Sequence, residues 1–127
     1  MNVVDSSGWM EYLSGSPATA FFAAAIEDSE SLIVPTVSIY EVFKRIVQLH
    51  GERVALDKIG VMRRGTSVDL TDSFALSAAR ISLEHTLPMA DSIIYATARA
   101  FDATLWTQDA DFKGLPGIRY RQASSRS

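Results

Sequence analysis

The chain has 127 residues, a formal net charge of −3 and no cysteine. This length is typical of one domain that buries its own hydrophobic core. The lack of cysteine excludes disulfides and thiolate metal sites and favours a reducing, cytoplasmic location. No apolar run reaches transmembrane length, and the acidic balance argues against a generic binder of polyanions.

The predicted elements alternate between short apolar strands and longer helices, with Pro and Gly at the breaks. The strands are expected at Asn2–Asp5, Leu32–Val34, Thr66–Leu70, Thr104–Thr107 and Ile118–Tyr120. The helices are expected at about Ser6–Leu13, Ala18–Asp28, Val37–Leu49, Arg53–Arg63, Ser73–Glu84 and Asp91–Phe101. This alternation predicts an α/β fold with a parallel sheet covered by helices on both faces. We expect one domain over residues 1–121 and a flexible tail at 122–127, where the residues are polar and small.

Four acidic residues fall where predicted strands end or helices begin. Asp5 ends the first strand, Glu41 lies early in the helix after the second, Asp91 opens the last helix and Asp109 follows the fourth strand. Each has an ordinary structural alternative. Asp5 and Asp91 could be helix caps or first-turn acids, Asp109 a loop acid, and Ser38 to Glu41 match a capping box.

Taken together, these acids point to a metal site. A parallel sheet brings the ends of its strands to one edge, where ligands bind, and Mg²⁺ prefers carboxylate oxygens. Two such ions about 3.5–4 Å apart can activate a water and stabilise the leaving oxygen in phosphodiester cleavage. No Ser/His/Asp arrangement or phosphate-binding glycine loop is visible, and His50 and His85 are interpreted as structural. The sequence therefore favours a metal-binding nuclease.

Four motifs in order resemble those of the PIN domain nucleases, and among them the VapC toxins of toxin–antitoxin pairs. The motifs are Val3–Trp9, Thr36–Val42, Pro88–Ala98 and Thr104–Phe112, followed by a similar closing segment at Leu115–Ile118. Gly8 and Tyr40 depart from the usual pattern without touching a proposed ligand. The resemblance covers nearly the whole chain. It implies a PIN-like three-layer sandwich with a mostly parallel central sheet, and RNA cleavage that depends on Mg²⁺ or Mn²⁺.

The resemblance also implies the acids of the site. Asp5, Asp91 and Asp109 would bind the metal, and Glu41 would complete the catalytic set. Asp111 remains an alternative to Asp109 as the fourth acid. Strand alternation favours Asp109, because it places Leu105, Thr107 and Asp109 on one side of the chain.

Three further residues are expected around the ligands, namely Ser6, Thr107 and Asp111. The best candidates for contact with RNA are Lys44, Arg45 and Arg99. The resemblance implies two protein partners, a second copy of the chain and a small antitoxin, and no membrane. The aromatic residues of the first half are either core or part of a partner surface; they are Trp9, Tyr12, Phe21, Phe22 and Phe43.

Other functions remain open. A phosphoacceptor receiver domain has similar size and layering, but it needs an acidic pair after the first strand and a Lys after the last, and both are missing. A catalytically silent binding module would keep the fold and all the candidate ligands. A housekeeping RNA-processing nuclease would share the chemistry and differ in its target.

Overall fold

A computed structural model describes residues 1–123, which form five strands and six α-helices. The strands are β1 (Asn2–Val4), β2 (Leu32–Pro35), β3 (Thr66–Val68), β4 (Thr104–Thr107) and β5 (Ile118–Tyr120). The α-helices are α1 (Ser6–Ser14), α2 (Thr19–Ile26), α3 (Thr36–His50), α4 (Glu52–Met62), α5 (Asp72–His85) and α6 (Met89–Ala100). Two short 3₁₀ helices occupy Ser29–Ser31 and Ala110–Phe112. Of the predicted tail, residues 124–127 lie outside the described residues.

The strands form one sheet in the order β3-β2-β1-β4-β5, and every neighbouring pair is parallel. The prediction of a mostly parallel sheet is therefore confirmed. This order differs from the 2-1-3-4-5 order of receiver domains, which removes that alternative. The central strands β2, β1 and β4 bring their carboxyl ends to one edge, and this edge positions the site.

Side chains alternate along the strands and feed two hydrophobic layers. Val4, Val34 and Trp106 pack on one face with α1 to α4, whereas Val3, Ile33 and Leu105 pack on the other with α6 and part of α5. Helices on both faces confirm the three-layer sandwich. Among the described residues, no helix combines the length and the apolar character needed to cross a bilayer.

The start of α3 differs from the prediction. The helix begins at Thr36, directly after Pro35 ends β2, and no side chain caps it. Ser38 is therefore inside the helix and fully buried, so the proposed capping box from Ser38 to Glu41 is wrong. The fixed φ of proline places it readily at a strand-to-helix junction, without the hydrogen-bonding side chain that a cap search looks for.

The aromatic residues of the first half belong to the core. Trp9 and Phe22 are fully buried, and Tyr12, Phe21 and Phe43 are partly buried against the same cluster. Of the two interpretations given for these residues, core or partner surface, the structure confirms the core.

Candidate active site

Asp5 is held by three hydrogen-bond donors at the end of β1. It caps α1, because its Oδ1 accepts from the backbone N–H of Gly8 at 2.8 Å, and Ser7 Oγ donates to both carboxylate oxygens at 3.1 and 3.2 Å. Thr107 Oγ1, at the end of β4, donates to Oδ2 at 2.5 Å. Asp5 is only 2% exposed, and burial raises its pKa to about 6 against the opposing effect of these hydrogen bonds.

Asp91 lies in the first turn of α6, whose cap position is Pro88. It is therefore a first-turn acid and not an N-cap. Its pKa is raised to about 7, first by partial burial and then by the charges of Asp109, Asp5, Glu41 and Asp111, in that order. The other predicted acids thus surround this one carboxylate.

Asp109 and Asp111 both reach Asp91. Carboxylate oxygens of the three residues lie within 4.8 Å of one another. Asp109 Oδ1 accepts from the backbone N–H of Asp111 at 2.9 Å and so caps the 3₁₀ helix Ala110–Phe112. The sequence-based prediction assumed an extended chain at this point. The turn that the structure shows instead brings Asp111 closer to Asp91.

Glu41 faces the same edge from α3. Ser6 Oγ, in the first turn of α1, donates to Glu41 Oε1 at 2.5 Å, so the serine predicted beside the site links two helices there. Glu41 is half-buried, and its other oxygen has no partner among residues 1–123. One carboxylate oxygen is therefore available to a ligand.

The edge gathers five carboxylates without a matching cation. Within residues 1–123 the one ion pair closer than 4.0 Å joins Glu84 to His85, far along α5. Burial is the main cause of the raised pKa values of Asp5 and Asp91, and repulsion from the neighbouring carboxylates adds to it. A hard divalent cation relieves this repulsion and prefers oxygen ligands. The residues present therefore fit a divalent metal ion.

The family model described as the PIN domain matches residues 3–118. The chain belongs to the PIN domain family. A comparison with curated protein sequences gives no match.

Solved structures share the PIN fold of this chain. A toxin–antitoxin complex from Klebsiella pneumoniae has a TM-score of 0.78 at 21% identity, over 94% of this chain and 96% of that chain. A sarcin–ricin loop cleaving VapC toxin of Mycobacterium tuberculosis has a TM-score of 0.77 at 13% identity, over 93% and 97%. DNA-bound VapBC from Salmonella typhimurium has a TM-score of 0.76 at 14% identity, over 94% and 96%. The structural neighbours of this PIN domain are thus VapC toxins of toxin–antitoxin complexes.

The predicted RNA-binding residues of this PIN domain separate into two groups. Lys44 and Arg45 are exposed on α3, within a turn of Glu41. Arg99 is eight residues after Asp91 on α6, about 12 Å along the helix at ~1.5 Å per residue. The structure therefore does not bring Arg99 to the acids.

The contacts of Arg99 are structural. Its guanidinium donates to the carbonyl of Ala103 at 2.8 Å and lies over the ring of Tyr95, 5.8 Å from the centroid. A side chain at Gly117 would collide with it. These contacts fix the guanidinium where β4 and β5 begin, opposite the acidic edge.

Sequence reasoning missed three residues at the acidic edge: Ser7, Lys113 and Arg121. Ser7 was detectable as the second hydroxyl residue after Asp5. Arg121 follows β5 directly, so the rule that ligands bind beyond strand ends also applied to it. Lys113 had no comparable signal, because its position depends on the 3₁₀ helix before it.

Proposed function

We propose that this PIN domain is a Mg²⁺- or Mn²⁺-dependent endoribonuclease and the toxin of a toxin–antitoxin pair. The convergence of carboxylates from β1, α3, α6 and the segment after β4 carries the proposal. The neighbouring solved structures support it, because one is a sarcin–ricin loop cleaving toxin and others are toxin–antitoxin complexes.

The metal would be held by Asp5, Asp91 and Asp109. When bound, such an ion supplies Lewis-acid stabilisation and water activation for hydrolysis of a phosphodiester. Thr107 and Ser7 fix the rotamer of Asp5, so that its remaining lone pair keeps a constant direction.

Glu41 has a different role in this proposal. Ser6 occupies Oε1, which leaves Oε2 to accept a hydrogen bond from a water molecule and to orient it. The amino ends of α1 and α3 lie at the same edge, and their free N–H groups favour the approach of a phosphate.

The central test is RNA cleavage by the purified protein and by Asp91→Asn. Wild-type protein should cut a structured RNA with Mg²⁺ or Mn²⁺ and stop when EDTA is added. Asp91→Asn keeps the side-chain size but removes a charge that the metal needs, so we expect cleavage to fall by more than about 100-fold, the upper end for losses of outer-shell contacts. The melting temperature of the metal-free variant should stay level or rise, since repulsion among the acids is relieved.

The matched control is Asp69→Asn, an exposed acid just after β3 and outside the cluster, which should keep wild-type cleavage. Cleavage that is indifferent to chelation would contradict the proposed function. Full activity of Asp91→Asn would return Asp91 to a purely structural role.

Besides its RNA substrate, the proposed partner of this chain is a small antitoxin encoded beside the gene of the chain. Three of the similar structures are toxin–antitoxin or VapBC complexes. Co-expression with the product of a neighbouring short reading frame should yield a co-purifying complex with suppressed cleavage. Free toxin activity in the presence of every such product would argue for the housekeeping alternative. The cytoplasmic location stays a prediction.

The homodimer is proposed through the face of α5 and α6. A groove of about 530 Å³ runs between these helices, and Leu76, Leu83 and Met89 are 60%, 87% and 75% exposed beside or near it. Contiguous exposed apolar residues mark interaction surfaces. Light scattering should give a dimer for wild type and a monomer for Leu83→Glu, while Leu56→Glu, 57% exposed on α4, should stay dimeric. A wild-type monomer at high micromolar concentration would contradict this.

A further inference from the structure

Two cationic side chains and one aromatic ring extend the acidic edge toward β5. The strand register pairs Tyr120 with Thr107, the residue that donates to Asp5. Paired residues of a parallel sheet point to the same face, so Tyr120 lies on the face of Thr107 and Asp5. Arg121 follows at the carboxyl end of β5, where its backbone N–H donates to the Thr107 carbonyl at 3.0 Å. This group is therefore one strand away from the acids.

Lys113 joins the group from the segment after β4. It directly follows the 3₁₀ helix that contains Asp111, and its backbone N–H donates to Ala110 at 3.0 Å. Its ammonium lies over the Tyr120 ring, 5.4 Å from the centroid. Such a cation–π contact holds the side chain without neutralising its charge.

The fold leaves the charges of both side chains unneutralised, because Lys113 contacts the Tyr120 ring and Arg121 Nη1 donates to the neighbouring Gln122 carbonyl at 3.4 Å. Lys113 is exposed and Arg121 is half-exposed, and in the described part of the chain no carboxylate lies within 4.0 Å of either. The neighbouring Arg119 differs, because its guanidinium covers the ring of Trp106, 4.6 Å from the centroid. An unpaired Lys and Arg beside five carboxylates remain available to an anionic ligand.

We propose that Lys113 and Arg121 bind backbone phosphates of single-stranded RNA on the β5 side of the acids, with Tyr120 as the positioning residue for Lys113. This inference rests on the proposed function and names how that site holds its substrate. On the other side of the acids, Lys44 and Arg45 lie on α3, which follows β2. Three strand spacings, about 14 Å, separate β2 from β5, so a strand of RNA can cross the acidic edge between two basic ends.

The test separates binding from cleavage. Anisotropy of a short labelled single-stranded RNA is measured in EDTA at several salt concentrations, with Asp91→Asn as the background so that no cleavage occurs and one repulsive charge is absent. Lys113→Ala and Arg121→Ala should each weaken binding and reduce the slope of log K against log salt by about 0.7, the value per phosphate contact for single strands. Arg53→Ala, with the same charge change at the start of α4 beyond the far end of α3, should leave the slope unchanged.

The role of Tyr120 has its own readout. Tyr120→Leu should reduce the slope in part, because the Lys113 ammonium loses its platform, whereas Tyr120→Phe should behave as the background does. Melting curves of all variants verify folding.

The outcomes distinguish this inference from the proposed function. If the otherwise wild-type chain cuts RNA but Lys113→Ala and Arg121→Ala keep the full salt slope, the phosphate site is wrong and the nuclease stands. If the slopes fall as expected but the wild-type chain never cuts, the nuclease is wrong and the phosphate site stands. Absence of any RNA binding overturns the phosphate site, and absence of wild-type cleavage in addition overturns both.

Discussion

At the scale of single residues, the Asp5 carboxylate combines a helix cap with a buried site. Its two oxygens accept hydrogen bonds from three donors, Gly8, Ser7 and Thr107, so about one of the four lone-pair sites of the carboxylate stays open. Its pKa of about 6 means that these donors do not fully offset the loss of solvent. Capping and metal binding were alternatives in the sequence, yet the observed geometry allows one residue to do both.

Thr107 connects two of the acids, and its hydroxyl can be removed almost without changing its shape. The hydroxyl donates to Asp5 and accepts from the backbone N–H of Asp109 at 2.9 Å. Thr107→Val should lower RNA cleavage and Mn²⁺ affinity by about 10- to 100-fold, the usual effect of losing an outer-shell contact. It should also cost about 1–3 kcal/mol of stability, because buried polar groups lose their partner.

Single-turnover cleavage, calorimetry and urea unfolding measure these effects. Thr107→Ser should recover most of the activity. Thr97→Val serves as the control, since that buried hydroxyl bonds only the Ile93 carbonyl within α6. Normal cleavage in Thr107→Val would mean that Asp5 is positioned adequately without it.

Asp109, and not Asp111, is predicted to be the fourth acid of the site. Asp109 is the more buried of the two and exerts the larger effect on the pKa of Asp91, and it also acts on Asp5. Asp111 is exposed, and its contribution is the smallest of those acting on Asp91. Asp109→Asn should therefore abolish cleavage and Mn²⁺ binding, whereas Asp111→Asn should reduce them by less than about tenfold, the low end for outer-shell contacts. The reverse ranking, measured by cleavage and calorimetry, would assign the role to Asp111.

At the scale of elements, the close approach of α1 to α2 and β1 depends on Gly8. A Cβ atom at this position would lie 2.6 Å from Phe22 Cε1 and 2.7 Å from Val4 Cγ1, both in the buried core. Gly8→Ala should therefore destabilise the protein by about 1–3 kcal/mol through overpacking, which outweighs the ~0.5–1 kcal/mol that alanine gains in a helix.

The matched control, Gly60→Ala, should change the stability in the opposite direction. Gly60 also lies inside a helix, α4, but apart from the helix's own adjacent backbone no atom is within 4 Å of the place that a methyl group would take. The substitution should therefore stabilise by about 0.5–1 kcal/mol. Urea unfolding of both variants measures the sign of the change in the free energy of unfolding. Equal effects would show that α1 shifts easily to accept the methyl group.

The elements themselves were largely predictable, because their apolar periodicity is strong. All five strands and six helices occur where the pattern put them, and β4 and β5 match to the residue. The 3₁₀ helix Ala110–Phe112 was not predicted, because three residues are too few to show a periodic pattern of apolar residues. That turn decides where Asp111 and Lys113 lie. The sequence therefore predicted the four main acids at one edge with Asp111 near them, but not the close approach of Asp111 to Asp91 or the position of Lys113.

At the scale of the whole molecule, the charges are separated although their sum is only −3. Carboxylates gather at one sheet edge, and the unpaired cations lie on the β5 side of them, Lys113 after the 3₁₀ helix and Arg121 just after β5. Arg99 shows why charge alone misled the sequence-based prediction, because a helix carries its two ends to opposite edges of the sheet. Position along an element, more than residue type, decides which charges meet.

The stability of the metal-free protein should fall as pH rises from about 4 to about 7. In the unfolded chain, aspartates release their proton near 3.8, whereas the folded protein holds it to about 6 at Asp5 and about 7 at Asp91. In this window the folded state binds more protons, so these two groups make the free energy of unfolding decrease with pH, and their effect levels off above about 7.

Thermal melts in EDTA across this range should show Asp91→Asn gaining stability relative to wild type as pH rises. Asp57→Asn, an exposed acid on α4, should keep the wild-type profile. Mg²⁺ should restore more stability to wild type near pH 7 than near pH 5, since it competes with the bound protons at low pH. A constant difference between wild type and Asp91→Asn at every pH would show that Asp91 ionises freely in the folded protein, and that the acids do not act on one another as the geometry requires.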